Sequence, residues 1–311
     1  MNKISNRQVI CDTLVDLANN DKDIMVITCD SRGSASMGNF AEEYPEQFVE
    51  VGIAEQDSVG IAAGIATCGK KSYVASPACF LSMRSVEQIK VDVAYSKTNV
   101  KLVGISGGVS YGALGMTHHS LQDIAVMRAI PGIQVLLPAD RFETKKIIEA
   151  LYKYDGPAYI RIGRSAVEDV YDSENFEFHI GKGNVLHEGS DITIIGTGET
   201  VKIALDAGKQ LEAKGIGARI ISMHTIKPLD DEIIIKAAEE TRGIITIEEH
   251  SIYGGLGAAV SEVVCQNAPT KMKIIGIADE APITGNSKEV FNYYGLTVDN
   301  LVKTAEKILK K

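Results

Sequence analysis

From Asn6 to Lys310 short runs rich in Val, Ile and Leu alternate with longer amphipathic segments, and no other feature limits the fold so tightly. Strands Asp23–Thr28, 48–51, Ser72–Ala75, Val100–Ile105, Gln134–Leu137 and Ala158–Ile162 are separated by helices Gln56–Cys68, Phe80–Tyr95, Ser120–Ala129 and Arg141–Lys153, with helix Asn6–Asn19 in front. Repeated strand–helix units predict an α/β protein with mainly parallel sheets covered on both faces. The rhythm breaks in a polar, acidic stretch (EDVYDSENFEFH) and then resumes. Strands Ile192–Gly196, Ala218–Ser222, Gly243–Ile247 and Lys273–Ile277 alternate with helices Thr200–Lys214, Asp231–Glu240 and Val298–Lys310, with a glycine-rich helix entry at Gly254–Gly257. This predicts two doubly wound domains, 1–165 and 189–311, joined by a linker at 166–188.

With 311 residues the chain has room for two cores. A net charge of −9 leaves no basic field to neutralise phosphates, which argues against a nucleic-acid partner. Five scattered cysteines without a CxxC pair suit a reducing cytoplasm and offer no metal site. The start, MNKISNRQ, has no apolar h-region, and no apolar run approaches membrane-spanning length. The expected setting is the cytoplasm, with no membrane partner.

Three generic motifs fail on context. Gly64–Lys71 resembles a phosphate loop but joins a helix to a strand and ends in Lys71 where Ser or Thr should hold magnesium. Gly196-Thr-Gly198 lacks the third glycine of a dinucleotide loop. Gly104-Ile-Ser106-Gly-Gly108 fits a nucleophile elbow, but the following GVSYGALGMT cannot form the helix that motif needs.

Three other segments converge. FVEVGIAEQDSVGIAAG (48–64) runs from a strand into a helix apolar nearly all round, which predicts burial, with Glu55 at its mouth. A carboxylate there is desolvated, which raises its pKa unless a partner stabilises the anion. Taken alone, Glu55 reads as a helix-start acid serving the macrodipole. SPACFLSMR (76–84) offers Phe80, Leu81 and Met83 as apolar surface beside Arg84. GISGGVSYGALGMTHH (104–119) is a flexible loop that delivers His118 and His119. All three fall at carboxyl ends of parallel strands, where ligands of such sheets bind. A carboxylate, an apolar slot and a histidine suit a flat heteroaromatic cofactor with acid–base chemistry. Each also has a plain explanation: Phe80 as core, the histidines as solvated loop residues.

At these residues the chain resembles transketolase and its relative deoxyxylulose-phosphate synthase. The resemblance rests on VGIAEQ, FLSMRSVEQIKVDVAYS, the Thr117-His118 pair followed by SLQDIAVMRAIPGIQVLLPAD, and YIRIGR. It spans the whole chain but only part of a full-length enzyme: the pyrimidine-binding domain and the C-terminal domain. The family holds the thiamine diphosphate tail and a divalent metal such as Mg2+ or Ca2+ on another domain, marked by a GDG turn, and no GDG occurs here. The resemblance therefore implies the C-terminal subunit of a split transketolase, with an N-terminal partner chain supplying that site and an α2β2 assembly. It implies that Glu55 bonds the pyrimidine ring and promotes the imino form that deprotonates the thiazolium C2. Phe80 would stack on that ring, with Leu81 and Arg84 beside it. His118 would contact the substrate oxygen, and Arg164 would grip an acceptor phosphate, assisted by Ser34, which reads equally as an ordinary loop serine.

Two positions depart from the family. Leu114 stands where transketolases usually place an aspartate that reads a sugar hydroxyl, and Ser106 stands where many carry a phosphate-contacting histidine. The implied donor is an unusual ketose: deoxygenated, branched, or carrying another anion in place of phosphate. The rival readings are the beta chain of a 2-oxoacid dehydrogenase and a non-catalytic assembly component. In the second domain Glu248, Glu249 and His250 read as capping or interface residues, with no acid–base cluster expected there.

Overall fold

The computed structural model describes residues 4–310. The first sheet contains β1 (Ile24–Thr28), β2 (Phe48–Glu50), β3 (Lys71–Pro77), β4 (Val100–Ile105), β5 (Gln134–Leu136) and β6 (Ala158–Arg161), all parallel. The second contains β7 (Asn184–His187), β8 (Ile192–Gly196), β9 (Ala218–Ser222), β11 (Ile244–Ser251) and β12 (Met272–Ile277), with only β7 antiparallel. Strands such as β4, β8 and β9 are buried along their whole length, which explains their unbroken apolar runs.

The remaining strand, β10 (Thr225–Lys227), crosses over. It comes from the second half of the chain yet pairs antiparallel with β5, giving the first sheet the order β10-β5-β6-β4-β3-β1-β2. Leu137 N–H donates to His224 O at 2.8 Å beside this seam. The strand covers an edge that would otherwise be open. One apolar cluster consequently runs through both sheets, from Val74 and Leu102 to Ile195, Met223 and Ile234.

Asp140, in the LPAD stretch, ties the connector down. Its Oδ1 accepts from the N–H groups of Phe142 and Glu143 and caps helix Arg141–Lys153, while Oδ2 accepts from Val170 and Tyr171. A fully buried carboxylate with four backbone donors is well satisfied.

Several elements differ from the sequence expectation. The helix expected over 80–95 is broken into Ala78–Arg84, Val86–Gln88 and a π-helical stretch, Ile89–Tyr95. Helix Asp123–Ala129 starts three residues later than expected. Helices Gly38–Glu43 and Ser287–Tyr294 and strands β7 and β10 have no counterpart in the sequence reading. Helix Glu55–Thr67 is not buried all round: Ser58, Val59, Ala62 and Ala63 face the core, while Gln56, Ile61 and Gly64 are exposed. Its outer side is a strip of small residues bordering a groove lined by Gly60, Gly64, Asp92 and Ser96.

Candidate active site

The carboxyl ends of β2, β1, β3, β4 and β6 are neighbours in the first sheet, and each is followed by one of the predicted segments. The chain leaves β1 for β2 on one side and returns to β3 on the other, so the strand order reverses there and opens a crevice.

Glu55 is the first residue of helix Glu55–Thr67 and is 4% exposed. Arg84 Nη1 donates to Glu55 Oε2 at 2.9 Å. The carboxylate thus has the partner whose absence would have made burial costly. A cleft of about 540 Å³ opens here, lined by Ile53, Ala54, Glu55, Gln56, Asp57 and Arg84.

From Arg84 a continuous run of contacts leads across the crevice. The guanidinium carbon of Arg84 lies 4.1 Å from the Phe80 ring centroid. Phe80 meets His118 edge-on, with centroids 5.1 Å apart, and His118 meets Tyr111 at 5.3 Å. Arg164 lies over the other aromatic partner, its guanidinium carbon 4.9 Å from the Tyr111 ring. Arg7 donates from Nη1 to the carbonyl of Ser34, and burial together with the neighbouring Arg164 pulls its guanidinium below the ordinary value. Arg7 Nε and Arg164 Nη1 are both buried without a hydrogen-bond partner. Two guanidiniums with spare donors form a site suited to an anion.

The structure brings together Glu55, Arg84, Phe80, His118, Arg164 and Ser34, although Ser34 takes part through its backbone carbonyl rather than its hydroxyl. Leu81 is a correction. It is fully buried in the core with Val59 and Ile89, because the short helix Ala78–Arg84 turns it inward, and it offers no surface to the cleft. Met83 and Leu114 stand outward, 49% and 54% exposed. His119 is buried, with Nε2 3.2 Å from Gly112 O, and burial lowers its pKa. Arg7 and Tyr111 escape the sequence reading. Arg7 lies in the first turn of an ordinary amphipathic helix, and Tyr111 in a loop marked only by its glycines.

Ser106 has a left-handed backbone (φ 55°), as a nucleophile elbow would, but its side chain is wholly buried and cannot attack a substrate. Among the described residues no group of three His, Cys, Asp or Glu side chains is placed to hold a metal, and no helix is long and apolar enough to cross a membrane. The buried carboxylate, the cleft that it lines and the half-buried ring of Phe80 under Arg84 fit the pyrimidine half of thiamine diphosphate.

Comparison with known proteins bears on the family and the fold. Residues 2–169 match the family model for the transketolase pyrimidine-binding domain, and residues 181–301 match that for the transketolase C-terminal domain. The chain is 55% identical to one of the subunits of the apulose-4-phosphate transketolase of Phocaeicola vulgatus, over 100% of this chain and 99% of that one. It is 36% identical to the 6-deoxy-6-sulfo-D-fructose transketolase subunit SqwH of Clostridium sp. (strain MSTE9), over 98% and 94% of the two chains. A solved structure described as a split gene transketolase, inactive beta4 tetramer, superposes with a TM-score of 0.92 at 37% identity, covering 99% of each chain. The similarity favours transketolase subunits over the beta chain of a 2-oxoacid dehydrogenase. The chain belongs to the transketolase family, as a subunit made of its pyrimidine-binding and C-terminal domains.

Proposed function

We propose that this chain, joined to an N-terminal partner subunit, transfers a two-carbon ketol unit from a ketose to an aldose acceptor using thiamine diphosphate. The unbroken contact path Glu55–Arg84–Phe80–His118–Tyr111–Arg164 carries this reading, because it links a cofactor acid to an anion grip across one crevice. Thiamine diphosphate, when bound, supplies a nucleophilic carbon and stabilises the electron pair left by carbon–carbon cleavage. Glu55 holds a hydrogen bond to the pyrimidine ring, Phe80 packs on its face, and Arg84 orients Glu55. His118, with Nδ1 2.9 Å from Thr117 Oγ1, holds or moves a proton at the substrate oxygen. Arg164 and Arg7 grip the substrate's anionic end.

The partner chain holds the diphosphate and its divalent metal. The exposed strip of helix Glu55–Thr67, together with the exposed Ile53 and Tyr95, is the face on which subunits meet, giving an α2β2 assembly in the cytoplasm. The substrate is a ketose with an anionic tail. Relatives named for apulose 4-phosphate and for 6-deoxy-6-sulfo-D-fructose fit the departures at Leu114 and Ser106. The phosphate of the first is the nearer precedent at 55% identity.

The test is co-expression with the partner subunit and assay against a panel of phosphorylated and sulfonated ketoses. Ketol transfer by the pair and none by the single chain is the expected result. Decarboxylation of a 2-oxoacid without ketol transfer would refute the proposal.

A further inference from the structure

The loop that carries His118 is held by the second domain as well as by its own. Its neck is closed where Gly108 N–H donates to Ser120 O at 3.0 Å and Ser120 N–H returns a bond to Gly108 O at 2.8 Å. Glu249, near the end of β11, reaches across the domain boundary to this neck. Its Oε1 accepts the Val109 N–H at 2.7 Å. Its backbone carbonyl accepts from Arg161 Nη2 at 2.6 Å, and the same nitrogen reaches Ser120 O at 3.3 Å. One residue therefore ties both strands of the neck. Gly108 shows how close the fit is: it has φ +60°, and a Cβ there would lie 2.3 Å from Glu249 Cδ.

The tip of the loop is moulded in the same way. A Cβ on Gly112 would lie 2.7 Å from Gly285 O, and one on Gly115 would lie 2.8 Å from Thr284 Oγ1. Glu249 is 5% exposed, and burial pushes its carboxyl up to about 7 against the pull of Arg161. Packing alone would not call for a buried acid, since an apolar side chain fills space without the desolvation cost.

We propose that Glu249 is a positioning residue for His118: its carboxylate holds the Val109 amide, beside the bond that its backbone carbonyl accepts from Arg161, and so fixes the neck of the 107–120 loop, with the second domain setting the reach of the histidine. This rests on the role proposed above for His118. Glu249 lies outside the path from Glu55 to Arg164 proposed for cofactor and substrate, and its effect passes through the loop.

The test compares E249A, E249D and E249Q by two measurements. The first is hydrogen–deuterium exchange of the 107–120 segment in the single chain, which needs no activity. The second is ketol transfer by the chain paired with its partner subunit. E249D shortens the reach while keeping the charge, and E249Q keeps an acceptor oxygen in place. In E249A and E249D we expect exchange in 107–120 to rise about 10-fold or more while the rest of the chain keeps its protection. We expect kcat of the pair to fall about 10- to 100-fold with KM for thiamine diphosphate unchanged, the scale of a misplaced reacting group. E249Q should restore both. Wild-type exchange in E249D would overturn the clamp, and raised exchange without loss of kcat would overturn the positioning role. A wild-type pair inactive in ketol transfer would refute the proposed function and with it the role of His118, while the exchange result would still decide whether Glu249 holds the loop.

Discussion

Arg84 Nη1 lies 2.9 Å from Glu55 Oε2 while its guanidinium covers the ring of Phe80 at 4.1 Å. The acid at the helix start and the aromatic face beside the cleft are thus ordered by one side chain, itself 48% exposed. Half of Arg84 stands in water, which screens the pair in part, while the buried Glu55 relies on it as its charged partner. The pair also has a geometric consequence: it fixes where the buried carboxylate points.

R84A should therefore destabilise the fold by about 1–3 kcal/mol in denaturant titration, because it leaves the buried Glu55 carboxylate without its charged partner. In the two-chain enzyme it should weaken thiamine diphosphate binding about 10-fold, the cost of losing a charge-assisted contact that orients Glu55. Unchanged cofactor affinity would remove Arg84 from the site.

The two guanidiniums at the far end of the crevice have a separable effect. R7A and R164A should each raise KM for a phosphorylated substrate about 10- to 100-fold with little change in kcat, because each removes binding shared by ground and transition states. The double variant should lose less than the sum, since both act on one anion. Steady-state kinetics with phosphorylated and unphosphorylated ketoses separates this from a folding defect.

Leu114 sits exposed in the Gly112–Thr117 turn, so L114D can be made without disturbing the core. Installing an acceptor where the family reads a hydroxyl should raise turnover of xylulose 5-phosphate by the pair about 10-fold or more. It should lower turnover of the preferred ketose found in the panel assay.

Stability should fall as pH rises through neutrality. Burial pushes Glu143, Glu248 and Glu249 up to about 7 and Glu199 up to about 8. A carboxyl raised above its unfolded value contributes stability that is full below that value and is lost as pH passes the folded one, about 1.4 kcal/mol per pH unit per group. His224, lowered to about 3, and His250, lowered to about 4, act below the unfolded histidine value, so they leave the window from about pH 6.5 to 8 almost clear. Lys101, lowered by burial to about 7, opposes the trend as a single group. Thermal unfolding should show Tm falling between about pH 6.5 and 8, and E199Q should reduce that fall. A Tm that rises over this window would contradict the assignment.

The alternation of apolar runs is enough to read two α/β domains, because strands such as β8 and β9 are buried on both faces and keep their pattern undiluted. The crossing of β10 into the first sheet is not legible, since three residues of ordinary composition carry no record of which edge they cover. Glu55, Phe80 and His118 stand out through their neighbours in sequence. Arg7 does not, because its role comes from Arg164 and Ser34, residues 157 and 27 positions away that only the fold brings near. Leu81 misleads for the opposite reason: in the stretch FLSM nothing local tells an inward leucine from an outward methionine. Glu249 reads from sequence as a capping or interface residue, and only the fold shows that its carboxylate accepts from the Val109 amide of the other domain.

Glu55 activates thiamine diphosphate, on this proposal, only when a partner subunit anchors the cofactor. Deuterium exchange at the thiazolium C2 carbon, followed by NMR in the reconstituted two-chain enzyme and in the E55Q pair, tests that claim most directly. Rapid exchange is expected in the wild-type pair, with a fall of about 100-fold or more in E55Q and no acceleration by the single chain. Exchange in the E55Q pair at the wild-type rate would contradict it.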